Sequence, residues 1–305
     1  MKKCNSLLIT IGIFFVLSVL INILFAIDIN GSEELPAWNF YVNLYNPNLK
    51  NSKITGIIYI NGNAGWQNAK TMGICKGEGT YSNPYIIEDL IIDAGGYGSC
   101  IKIENSDVFF IIEDCTVSNC GFDEENAGIK LSNVQNSLLI KNQCLKNHGQ
   151  GIYLEYSDYN IISENIVYHN YDGGITLRYS NYNKILGNTA NSHDVDGIYL
   201  YYSNNNMIMR NIANGNFNKG IRLSHSNKNI VIGNTVLLNY AGGVYENNCE
   251  GNIFLFNFSA VNIMNIFLII SIIMILIYKN YKIRKSLDFN LKVFCKSLSS
   301  KNVRK

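Results

Sequence analysis

The chain has no Cys-x-x-Cys pair, and its four histidines, His148, His169, His193 and His225, stand at no metal-like spacing from any of its 8 cysteines. That excludes a zinc site of the usual kind. The central part also lacks a basic face. Between Asp28 and Ser259 there are 14 basic and 22 acidic residues, a balance of −8. Nucleic acid is excluded as a partner, because phosphate contacts need clustered Lys and Arg. Proline (3 residues) and charge (16 %) are scarce, while Tyr (20) and Gly (25) are plentiful.

The near-neutral total hides an asymmetry. From Lys279 to Lys305 there are nine basic residues and one acid, Asp288. An acidic body with a basic tail points to a membrane between them. Lys2 and Lys3 precede an apolar stretch over 7–27, and Cys4 lies before it. This stretch reads as a signal peptide or as an uncleaved anchor, since Leu24-Phe25-Ala26-Ile27 makes a poor cleavage site. A second run, Ala260 to Tyr278, is long enough to span a bilayer. Lys279, Lys282, Arg284 and Lys285 follow it, which places 279–305 in the cytoplasm and the body outside. Leu287, Leu291, Phe294 and Leu298 suit either a basic helix on the inner leaflet or a disordered tail.

What dominates the body is a clock. Gly128, Gly151, Gly174, Gly197, Gly220 and Gly243 follow one another at 23 residues. Ile or Val stands next, and Leu131, Leu154, Leu177, Leu200 and Leu223 stand two residues further on. A second register starts at Leu139, Ile162, Ile185, Ile208 and Val231. Asn142, Asn165, Asn188, Asn211 and Asn234 keep the same beat, as do Ser157, Ser180, Ser203 and Ser226. Apolar and polar positions alternate inside each period, and no part of a period accommodates an ordinary helix. A fixed period of this length means stacked units that bury a shared core. The expected fold is all-β: a right-handed parallel β-helix of 23-residue coils, each advancing about 4.8 Å. The Asn columns are expected to satisfy backbone groups at inward turns and to bond to one another along the axis.

The repeat with Asn160, Ile162, Asn165, Asn170, Gly174, Ile175, Leu177, Ser180 and Asn183 resembles that of right-handed parallel β-helix proteins, including the NosD-like group and the wider class of carbohydrate-binding proteins and sugar hydrolases. The segment from Gly77 to Ile103 resembles the opening coils of surface β-helix proteins. The resemblance covers about 86–259. It implies a membrane-anchored surface protein that binds glycan or is structural. Alternatives are a polysaccharide lyase or glycoside hydrolase, or a metal-delivery accessory protein. The Asp-Asp pair and Gly-His-Gly of polygalacturonase-like relatives are missing. The resulting division is 1–27 signal or anchor, 28–85 cap and leading strands, 86–259 β-helix, 260–278 transmembrane helix and 279–305 basic tail.

Within this frame, outward positions carry any function. Tyr156, Tyr179, Tyr202 and His225 share one phase and should stack, with Tyr159 and Tyr182 beside them. Tyr153 and Tyr199 point out from the strands, as do Lys130, Thr176 and Arg222. Such a ladder suits sugar rings, or it stabilises only itself. Asp172, Asp194 and Asp196 are candidate catalytic or Ca²⁺-binding carboxylates, although Asp before Gly is also ordinary turn chemistry. Arg178 and Arg222 are present, but the sequence does not place them beside these acids. No cofactor is called for, and oligomeric state is open. Six cysteines lie outside, Cys75, Cys100, Cys115, Cys120, Cys144 and Cys249, an even number that permits disulfides; Cys144 is aligned with Thr116, next to Cys115 and within bridging reach of it, whereas Cys249 reads as a free buried thiol. The interval from Ile101 and Ile103 to Ile129 and Leu131 exceeds one period, and the excess falls in an acidic loop with Asp123, Glu124 and Glu125.

Overall fold

The structure, a computed structural model, describes residues 53–259 and 271–282. The two segments belong to two separate units. The first is a right-handed parallel β-solenoid of eight coils, faced by three parallel sheets. The long-strand sheet has eight strands, from Ile58–Asn61 through Gly173–Arg178 to Gly242–Asn247. A second eight-stranded sheet runs from Tyr85–Glu88 to Ile253–Leu255. The third begins at Lys53–Thr55, reaches Thr189–Asn191, and continues through single bridges at Ile212 to Thr235–Val236 and Phe258–Ser259.

Register follows phase. Ile152 pairs with Ile129 and Ile175, and Leu154 with Leu131 and Leu177. Ile162 pairs with Leu139 and Ile185. These inward residues are fully buried and form one continuous core. Removing a Leu or Ile side chain from water contributes about 2 kcal/mol, so the stacked columns carry most of the stability.

The clock glycines are explained by close approach, not by backbone angle. A Cβ on Gly128 would lie 2.8 Å from the Gly151 carbonyl oxygen and 2.9 Å from Asn147 Nδ2. At Gly174 it would run into the Gly197 carbonyl. The glycine lets each coil settle onto the next. The ladders behave as the sequence suggested. Asn188 Oδ1 accepts from the Asn165 backbone N–H and side-chain amide, both at 2.9 Å, while its own Nδ2 donates to the Ile162 carbonyl at 2.9 Å. Ser180 Oγ accepts from Ser157 N–H at 3.0 Å.

The leading strands pair directly into the solenoid: Ile58 pairs with Ile101, and Lys53 with Leu90. Gly62–Thr71 is an α-helix. Its Trp66 is fully buried, stacked on Tyr85 (centroids 5.0 Å) and tilted on Phe110 (4.7 Å). The indole N–H donates to Ser106 Oγ at 2.9 Å. The helix supplies the apolar lid that a leading coil needs, since an uncovered coil is an open sheet edge.

Residues 271–282 form a helix. Among the described residues no helix is long and apolar enough to cross a membrane. The segments 1–27 and 283–305, with most of 260–278 before residue 271, lie outside the described residues.

The cysteines differ from the sequence reading in register. Cys144 pairs with Val117, not Thr116. The offset between these coils is shorter at this edge than in the long-strand sheet, where Ile129 pairs with Ile101. Cys75, Cys100, Cys115, Cys120, Cys144 and Cys249 are all free thiols. Three of them occupy ladder ends. Cys115 and Cys120 N–H donate to Asn142 and Asn147 Oδ1, both at 3.1 Å, and Cys249 Sγ accepts from Ser226 N–H at 3.3 Å.

Candidate functional groove

The corners of the coils place the aromatic column. Every coil turns through residues of positive φ, and Asn105, Asn133, Tyr156, Tyr179, Tyr202, His225 and Asn248 form one such column, with φ between 49 and 54°. An L-residue in this region costs about 1 kcal/mol, and Asn tolerates it best. Tyrosine there is offset by stacking. Successive centroids from Tyr156 to Tyr179, Tyr202 and His225 lie 5.0, 5.4 and 4.6 Å apart, with interplanar angles of 6, 20 and 14°. Tyr159 and Tyr182 stack in the same way at the next corner, at 5.0 Å.

Beside this column, the outer face of the long-strand sheet carries three outward columns, fixed by strand register. Gln150, Gly173 and Asp196 form the first; Tyr153, Thr176, Tyr199 and Arg222 the second; Glu155, Arg178 and Tyr201 the third. A cavity of about 380 Å³ opens here. Tyr153, Tyr199, Tyr201, Arg178, Arg222 and Asp196 line it, together with Asp172, Thr176 and the acidic loop residues Glu124 and Glu125. Outward does not mean exposed, however. Lys130 and Tyr153 are only 4 % exposed. The Lys130 ammonium lies between Glu125 (3.2 Å) and Glu155 (3.8 Å) and over the Tyr153 ring. The acidic insertion therefore folds over one end of the face.

The arginines are held by aromatic rings and acids. Arg222 lies 4.8 Å from the Tyr199 centroid and 3.5 Å from Asp196 Oδ2. Arg178 lies 5.5 Å from the Tyr179 centroid and 3.9 Å from Glu155. The groove thus adjoins the tyrosine column. Asp196 is 2 % exposed, and its Oδ1 accepts from Lys219 N–H at 2.9 Å. Its Oδ2 accepts no hydrogen bond, and Arg178 Nε and Arg222 Nε donate none. Burial raises the pKa of Asp196, against the Lys219 N–H and the Arg222 charge. Burial and the neighbouring Glu124 raise that of Asp172.

Asp172 and Asp196 share this groove with Arg178 and Arg222, a juxtaposition that sequence spacing did not disclose. Asp194 is exposed and lies outside the lining. Tyr153 and Tyr199 line the groove, whereas Tyr179, Tyr202 and His225 flank it. Tyr156 lines a separate polar hollow of about 530 Å³ with Asn105, Asp107, Asn133 and Asp158. His193 is inward, in the Asn147–Asn170–Asn216 ladder. Among the described residues, no three His, Cys, Asp or Glu side chains group so as to hold a metal ion.

Comparison with curated proteins finds no match. Among solved structures, the periplasmic alginate epimerase AlgG is 21 % identical over 55 % of this chain and 45 % of its own, with a TM-score of 0.46. The Azotobacter vinelandii mannuronan C-5 epimerase AlgE4 A-module is 14 % identical over 55 % of this chain and 62 % of its own, at 0.41. The Dettilon tailspike protein is 15 % identical over 68 % of this chain and 55 % of its own, at 0.45. The chain thus spans about half the length of these relatives. The family profile described as "Periplasmic copper-binding protein (NosD)" matches residues 80–268, more than half of the chain and nearly the whole solenoid. With that match and the stacked parallel coils together, the chain belongs to the NosD family.

Proposed function

We propose that the chain is an extracytoplasmic β-helix protein that binds glycan in the groove on the outer face of its long-strand sheet. The observation that carries this reading is the groove's composition. Tyr199 and Tyr201 offer ring surface, and Arg178 and Arg222 offer hydrogen-bonding groups, around a space within the roughly 300–1,000 Å³ of small-ligand sites. The acidic body and its basic tail support attachment at a membrane with the solenoid outside.

The test is binding of the full chain to immobilised glycans. Replacing Arg178 by Gln together with Tyr201 by Ala should abolish binding. Replacing Tyr179 and Tyr202 by Asn, which keeps the corner conformation, asks whether the flanking ladder also contributes. Wild-type protein that captures no glycan would refute the proposal.

A polysaccharide lyase or hydrolase is a second reading, favoured by the raised pKa of Asp172 and Asp196 in one groove. It predicts release of reducing or unsaturated ends, lost in Asp196→Asn. The copper of the family's description meets a poor donor set in the described residues. Cys100, Cys115, Cys120 and Cys144 are buried thiols whose pKa burial pushes up, to about 12 for Cys100 and Cys115. His148 Nδ1 bonds to the Cys120 carbonyl, and His193 is sealed in a ladder. No copper step is assigned to them.

A further inference from the structure

The outer face of the second eight-stranded sheet is apolar, unlike that of the long-strand sheet. Over its last six strands, from Ser137–Ile140 to Ile253–Leu255, the outward positions carry Leu, Ile or Met except at Ser163 and Lys184. Both exceptions fall in the first half of that stretch, and the last three strands have none. Most of these side chains are half-buried by their neighbours, but Ile253 and Leu255 are exposed. Apolar surface of this extent marks a contact with a partner or a membrane.

The corners beside this face change character at the same end. One corner of positive φ runs Lys141, Glu164, Gly187, Arg210 and Gly233, and ends on Phe256. The next runs Lys146, His169, Ser192 and Gly215, and ends on Leu238. Phe256 has a φ of 53° and is 78 % exposed, and Leu238 has a φ of 56° and is 85 % exposed. A bulky apolar residue in the left-handed region is strained, which polar residues such as Asn, or glycine, avoid. Among the described residues no ring stacks on Phe256, whereas the tyrosine column offsets the same strain by stacking. Phe258, on the strand after the Phe256 corner, is exposed as well.

Chain position and shape choose the occupant. Phe258 stands two residues before the apolar run Ala260 to Tyr278, and apolar surface increases along the solenoid towards that run. Leu255, Phe256 and Phe258 wrap a convex edge from one sheet to the next. Two rigid convex edges meet along a line, far short of the roughly 1,200 Å² that a stable protein interface buries. A lipid surface is fluid and moulds around such an edge, taking apolar side chains into the boundary between headgroups and acyl chains.

We propose that the last two coils dip this edge into the headgroup region of a bilayer, with Phe256 and Phe258 deepest and Leu238, Ile253 and Leu255 beside them. This rests on the membrane attachment in the reading above and names the surface of the solenoid that meets lipid.

The experiment uses the full chain reconstituted into phosphatidylcholine vesicles whose acyl chains are either plain or brominated near the headgroup. Flotation with the vesicles reports attachment. Fluorescence of Phe256→Trp, less that of the wild type, reports contact with lipid. The proposal expects brominated lipid to reduce this added fluorescence at least twofold. Phe258→Trp should be quenched likewise, and it serves alone if circular dichroism shows that Trp at the strained corner disturbs the fold. Tyr97→Trp, at an exposed turn among the leading coils, should keep its intensity. Equal quenching of Tyr97→Trp overturns the proposal, because the edge is then no special contact. So does a chain that floats but shows no quenching at 256 or 258, as when a second copy or residues 260–270 cover the edge; attachment then stands. A chain that does not float removes the attachment itself, and this inference with it.

Discussion

Exchanging His193 for Asn should abolish an acid sensitivity that the fold imposes on this chain. His193 stands where the ladder otherwise has Asn. Its Nδ1 accepts from Asn170 N–H at 3.1 Å, and its own backbone N–H donates to Asn216 Oδ1 at 3.0 Å. An accepting Nδ1 requires the neutral ring with the proton on Nε2, and Nε2 has no hydrogen-bond partner. Burial lowers the pKa to about 3. In the unfolded chain the value is about 6.5. The folded pKa is the lower one, so below pH 6.5 the unfolded state binds a proton that the folded state refuses. Stability therefore falls with pH between 6.5 and 3 and is unaffected by this group above 6.5. Linkage gives a loss of about 2 kcal/mol from pH 7.5 to 5.0. The assay is urea unfolding of the full chain at both pH values, followed by fluorescence. In His193→Asn the new amide should donate to the Val167 carbonyl, as Asn170 donates to that of Cys144 at 3.1 Å and Asn216 to that of Ala190 at 3.2 Å. Subtracting the variant from the wild type cancels every other titration. An acid loss that is the same in both proteins would refute the argument.

Other expectations test the stacking itself. Asn188→Ala strips the Asn165 N–H and the Ile162 carbonyl of their partners; at about 1–3 kcal/mol for each orphaned group, unfolding should shift by about 3 kcal/mol or more, measured by urea midpoint. Gly174→Ala drives a methyl into the Gly197 carbonyl and within 2.7 Å of His193 Nε2, so the coils must part; a loss of about 2–4 kcal/mol is expected, and a neutral result would show that the coils separate freely there. Native protein at neutral pH should leave Cys100, Cys115, Cys120 and Cys144 unlabelled by a maleimide, since burial hides these thiols and keeps them protonated; Cys249, more accessible than these four, should react before them.

The repeat made the scaffold legible. When one phase recurs at a fixed period, a side chain and its successor see the same surroundings, so Ile175 and Ile198, or Asn165 and Asn188, could be placed inside from the sequence alone. The Tyr156–Tyr179–Tyr202 stack followed for the same reason. Where the period broke, the reading failed. The helix Gly62–Thr71 and its Trp66 lid have no repeat to announce them. Cys144 was misaligned because the sheets keep different offsets between these coils: Ile129 sits against Ile101 in one, whereas Cys144 sits against Val117 in another, the extra residue of the first falling between the strands Ile101–Ser106 and Phe110–Glu113.

Alternation told which side chains leave the core, but not which of them meet solvent. Lys130 and Tyr153 point out and are nevertheless covered, because Glu125 and Glu155 close over them from other parts of the chain. The groove depends on that covering. It also depends on Arg222 reaching Asp196 from the strand of the following coil. The sequence by itself determined the coil, its inward columns and its ladders, since these need only equal phase. The tertiary structure alone decided where the outer face is open, because exposure there is set by side chains of neighbouring coils and by an insertion outside the period.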